Sequence, residues 1–128
     1  MIPKFRAYDS GSLSRMYQPD EVMVGNGDIW IIDEDSVAGE WIVNNDIHLM
    51  QSTGIKDKNG KEIFEGDIVD YKGRKAIIKW HGSYASFIYR FVDEMQERVS
   101  EWEPLFLAYH HFEIIGNIYE NQELIEVE

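Results

Sequence analysis

The sequence predicts a mainly β protein whose second half is a strand meander that curls into a small barrel. Three observations carry the prediction. Apolar side chains recur at every second position in runs of strand length, most clearly from Arg74 to Trp80. Turn residues separate those runs, above all Asn59-Gly60, Lys72-Gly73 and His81-Gly82-Ser83. Only one stretch, Val92 to Glu103, spaces its apolar residues as a helix would.

Taken in order, Ile2 to Tyr8 sets Phe5 and Ala7 against Lys4, Arg6 and Tyr8, and Asp9-Ser10-Gly11-Ser12 turns the chain into a returning strand at Arg15-Met16-Tyr17. Pro19 ends that strand. Val22 to Val24 precedes a turn at Gly25-Asn26-Gly27-Asp28, and Ile29 to Ile32 is a short apolar strand bounded by Asp33-Glu34-Asp35. Trp41 to Val43 and Ile47 to Met50 are two further short runs split by Asn44-Asn45-Asp46. Asp57 to Glu62 is a turn built on Asn59-Gly60, and a second turn at Glu65-Gly66-Asp67 leads into the strand Ile68 to Tyr71. From Arg74 onward Ala76, Ile78 and Trp80 share one face and Lys75, Ile77 and Lys79 the other. Tyr84 to Val92 places Phe87, Tyr89 and Phe91 together. Three such strands make a meander, and these aromatics with Trp80 are expected to fill its interior.

Val92, Met95, Val99 and Trp102 predict one short helix of about three turns, stopped by Pro104, with a hairpin arm as the competing reading. Leu105 to Tyr109 is apolar and of uncertain type. Phe112 to Tyr119 reads as a closing strand, and Glu120 to Glu128 as an acidic tail fraying towards its end.

The chain has the length of one domain, or of one small domain with an N-terminal extension. The expected division is a β-rich segment over residues 1–50 and a barrel domain over 51–128. Cysteine is absent, which excludes disulfides, thiolate metal sites and cysteine nucleophiles and fits a reducing cytoplasm. No apolar run has the length of a signal peptide or of a membrane span. The net charge is −12. Residues 56–79 hold seven bases against five acids, a local net of +2, and everything else nets −14. Such a field repels phosphate backbones, so nucleic acid is an unlikely partner and solubility is the plain reading of the charge.

The strings KFRAYD at 4–9, LMQSTGIKDKNGKEIFEGDIV at 49–69 and EIIGNIYEN at 113–121 occur in an order that resembles the YopX family of phage and prophage proteins. The two longer strings are specific and the first is weak alone. The resemblance implies a phage or prophage origin, a bacterial cytoplasmic setting and an SH3-like form for the C-terminal barrel. It transfers no catalytic residue. The segments 18–44 and 83–110 match no family pattern, so a role particular to this member is expected there. In EGDIV, Gly66 is expected to free the backbone and Asp67 to bond turn amides; in GNIYEN, Gly116 is expected at a close backbone approach and Asn117 at a bulge or turn.

The sequence lacks the motifs of catalysis. No nucleophile elbow, phosphate-cradling loop or dinucleotide fingerprint occurs. His110-His111 with Glu113 is the one local cluster of metal-ligand types; in a strand His111 and Glu113 would share a face, which supplies two ligands and a weak site. The expectation is therefore a non-enzyme with no metal and no cofactor. It would bind an unidentified protein partner through charge, with Lys72, Arg74, Lys75 and Lys79 on one side and Glu97, Glu101 and Glu103 on the other as the expected surface. The alternatives are a nucleic-acid accessory protein that uses the basic 72–79 stretch and its aromatics, and an enzyme with an unrecognised site. Pairing of free strand edges would allow a homo-oligomer.

Overall fold

The computed structural model describes residues 4–11, 14–83, 85–92, 103–105 and 109–126. Its chain divides into two compact units, Met1–Gln51 and Ser52–Glu128. Among the described residues every regular element of more than three residues is a strand, and the protein is mainly β.

In the first unit β1 (Phe5–Asp9) pairs antiparallel with β2 (Arg15–Tyr17) on one side and with the first residues of β6 (His48–Lys56) on the other. A second sheet follows in the order β3 (Val22–Gly25), β4 (Asp28–Ile32), β5 (Trp41–Val43). Asn26 and Gly27 both adopt positive φ, 53° and 81°, the geometry of a two-residue hairpin turn. One face of this sheet is core: Val22 and Ile31, directly opposite each other, are buried with Ala7, Tyr17 and Ile47.

In the second unit the remainder of β6 pairs with β7 (Glu62–Phe64), with a register shift between Ser52 and Lys56. Thr53 fills that irregularity: its hydroxyl donates to the Ile63 carbonyl at 2.7 Å and accepts from the Ile55 amide at 3.1 Å. A five-stranded antiparallel sheet then runs in the order β11 (Glu103–Pro104), β10 (Ser86–Phe91), β9 (Arg74–His81), β8 (Asp67–Tyr71), β12 (Phe112–Asn117). Among the described residues a curled antiparallel meander stands where the barrel is expected, with β12 returning beside β8. Ile63, Val69, Ile78, Tyr89, Leu105 and Phe112 form its core on one face. Ile68 and Ile77 are buried on the other, with Val92 and the C-terminal Ile118, Leu124 and Ile125 against them.

Three expectations need correction. The run ending at Met50 continues to Lys56 as a nine-residue strand, because buried Ser52 and Thr53 satisfy themselves on backbone groups where apolar alternation would be sought. Trp80 is 48% exposed and leaves the core to Tyr89 and Ile78; it lies near the end of β9, where the Phe87 ring meets its own at 5.0 Å. The C-terminal segment is not a frayed tail as far as Ile125, since it covers Ile68 and Ile77. The closing strand begins at Phe112 as expected, and Tyr109–His111 is a 3-10 turn ahead of it. The predicted helix over 92–103 falls on residues 93–102, outside the described residues.

Candidate functional site

The strings at 49–69 and 113–121 spend their polar groups on the backbone. The buried Asp57 carboxylate accepts from the Asn59 and Lys61 amides, both at 2.9 Å, and from the Ile114 amide on β12 at 3.0 Å. Burial alone would raise its pKa, but the Ile114, Lys61 and Asn59 amides and the Lys61 charge hold it below the ordinary carboxylate value. Asp67, also buried, accepts from the Phe64 amide at 2.8 Å and closes the turn before β8. The Asn117 side-chain oxygen accepts from the Tyr119 and Glu120 amides, while the Asn117 backbone amide donates to Asn121 Oδ1 at 3.1 Å. A Cβ on Gly116 would stand 2.6 Å from that Asn121 oxygen, which accounts for glycine there.

The basic stretch does not form one surface. Along β9 the period of two sends Arg74 to the face of Ala76 and Ile78, and Lys75 and Lys79 to the opposite face with Ile77. Arg74 covers the Phe91 ring at 3.6 Å and Lys72 stands 5.3 Å from the Tyr71 ring. Lys75 lies opposite Asp70, and Asp70 opposite Glu113, in a cross-strand row. Glu97 and Glu101 lie outside the described residues, and Glu103 is placed by its backbone in β11.

The histidines stack rather than chelate. The His110 and His111 rings are 3.9 Å apart, His111 meets the edge of Tyr71 at 5.8 Å, and Glu113 pairs instead with Lys58 at 3.5 Å. A slight loss of hydration at this exposed ring, then the neighbouring charges of His110 and Lys72, push the His111 pKa down. Among the described residues no three groups of ligating type converge on a metal position.

What sequence reasoning missed lies on the first unit, in the outer face of the sheet β3–β4–β5. Register sets Met23, Trp30 and Val43 in one row with Trp41 in the next, on the face opposite Val22 and Ile31, while Ile32 at the end of β4 packs against the core. Met23 and Val43 are 46% and 43% exposed, and Trp41 37%. The signal was present as unbroken apolar runs at 22–24, 29–32 and 41–43, but it shows only once the runs are paired. The unit carries nine acids against three bases. Carboxylates bracket β5, with Asp33, Glu34, Asp35 and Glu40 before it and Asp46 after it. Arg15 is engaged by Glu21 and Glu34 and covers the Tyr17 ring at 4.2 Å. Beside the β4–β5 pair a hollow of about 170 Å³ has Tyr17, Ile31, Ile32 and Ile42 as its apolar lining and Asp9, Asp33 and Glu34 among its polar groups.

Among the described residues no helix is long and apolar enough to cross a membrane. A family model described as YopX protein matches residues 4–126. The crystal structure of protein EF1440 from Enterococcus faecalis is similar at 30% sequence identity and a TM-score of 0.60, over 98% of this chain and 99% of that one. No curated protein matches.

Proposed function

This chain belongs to the YopX family, and we propose that it serves as a non-enzymatic protein-interaction module of phage or prophage origin, working in the cytoplasm of a bacterial host. The observation that supports this reading is the outer face of β3, β4 and β5, where Met23, Trp41 and Val43 are exposed beside a half-buried Trp30. Contiguous apolar surface of this kind on a soluble chain marks a place where another molecule sits. The absence of catalytic motifs from the sequence agrees with it, as does the use of Asp57 and Asp67, two buried carboxylates, as acceptors for backbone amides. Nucleic-acid binding draws less support, since Arg74 and the pair Lys75 and Lys79 point to opposite faces of β9.

Affinity capture from bacterial lysate tests the reading when the native chain is run beside the double variant Met23→Lys, Val43→Lys. Both positions are exposed, so the variant is expected to fold. A protein retained by the native chain and lost by the variant is the expected result. Identical recoveries, or none by either chain, would overturn the reading.

A further inference from the structure

Resting on that interaction reading, we propose that β5 accepts one further antiparallel strand from the partner, and that this strand alternates apolar and basic residues. β5 lies at the edge of its sheet and pairs only with β4 among the described residues. Its hydrogen-bonding phase is fixed by two bonds at its ends. The Asn44 amide donates to the Ile29 carbonyl at 2.8 Å and the Asp33 amide to the Glu40 carbonyl at 2.7 Å. Residues 40, 42 and 44 therefore turn their backbone groups towards β4, and Trp41 and Val43 turn theirs outward. An antiparallel strand added there exchanges both bonds with Trp41 and with Val43, and its two bonded residues share their face. That is the apolar face of Met23, Trp30 and Val43, so those two partner residues are apolar. The partner residue between them lies opposite Ile42, on the other face. Ile42 lines the hollow that also contains Asp9, Asp33 and Glu34, so that residue is lysine or arginine. The carboxylates bracketing β5 favour basic residues at both ends of the added segment as well. A second copy of this chain fits less well, because it brings the same carboxylates and a net charge of −12.

The experiment is fluorescence anisotropy of the full chain with a labelled heptapeptide that alternates lysine and valine and has lysine at both ends. Binding is expected to weaken about tenfold between roughly 50 and 300 mM salt. In the proposed register the valine amides face β5 and the lysine amides face water. N-methylation of the valine amides should lower affinity at least about tenfold, and N-methylation of the lysine amides should leave it unchanged. Replacing every lysine by glutamate should abolish binding. Val43→Pro removes an outward amide that no ladder bond uses, and should match the loss caused by valine methylation. If that variant does not fold, the two methylation patterns decide alone. Equal effects of the two patterns, or tight binding of the glutamate peptide, overturn the proposal. Peptide binding that survives both methylations yet is lost in Met23→Lys also overturns strand addition, while leaving the interaction reading in place. Lysate capture indifferent to Met23→Lys, Val43→Lys overturns the interaction reading itself. A native chain that sediments as a dimer, and as a monomer after Val43→Pro, assigns the edge to a second copy and overturns the basic partner.

Discussion

Single residues in the second unit hold more structure than their chemistry suggests, and Asp57 is the clearest of them. Its carboxylate joins the 57–61 turn to β12 through three amides. Asp57→Asn keeps one acceptor and replaces the other with a donor aimed at an amide, so a loss of about 2 kcal/mol in urea unfolding at pH 7 is expected. The pH dependence has a fixed sign. The folded-state pKa lies below the ordinary 3.8, so the contribution is complete above that value and disappears as pH falls through the lower folded value. The gap between native chain and Asp57→Asn should therefore narrow below about pH 4, and a gap that widened there would contradict the geometry. His111 offers an independent check by NMR titration. Its imidazole should titrate below the ordinary 6.5, and Lys72→Ala should move it upward by removing one of the neighbouring charges that depress it. Gly116→Ala is expected to cost about 1–2 kcal/mol in the same unfolding assay, since the added methyl displaces the Asn121 side chain that accepts from the Asn117 amide.

At the level of elements, the hairpins were legible because their turns are written in local chemistry. Asn26-Gly27 and Lys72-Gly73 each place two successive residues at positive φ. In both cases the flanking strands were expected where they occur. The second half of β6 was not legible, because Ser52 and Thr53 are buried polar residues whose partners, the Gly54 amide and the Ile63 carbonyl, become visible only in the folded chain. Trp80 failed for a related reason: alternation fixes which face a side chain takes but not where along the strand the core stops. The candidate site was legible only as separate strands, and the expected surface at 72–79 was drawn from sequence proximity, which β9 undoes by sending neighbours to opposite faces. The C-terminal segment makes the same point about covering. Leu124 and Ile125 lie against Ile68 and Ile77, so Leu124→Ala with Ile125→Ala should lower stability by about 2 kcal/mol, a discounted value because both are only half-buried. A double variant as stable as the native chain would return that segment to the status of a loose tail.

At the scale of the whole molecule the charge distribution decides which partners can approach. Nine acids against three bases in residues 1–51, and fifteen against nine in 52–128, leave both units at a net −6. A phosphate chain would have to find a compensating strip of cations, and β9 does not provide one: Arg74 lies over Phe91, while Lys75 and Lys79 face the other way. Each phosphate neutralised by a lysine or arginine supplies the counterion release that drives such binding, so a split set of bases sacrifices most of it. A labelled single-stranded DNA of about 20 nucleotides should accordingly show no measurable binding to the full chain at roughly 150 mM salt, and at most a weak response below about 50 mM. Micromolar binding at the higher salt, declining steeply as salt is added and abolished by Lys75→Glu with Lys79→Glu, would mean that one face of β9 suffices. It would then transfer the functional reading from the apolar face of the first unit to the second.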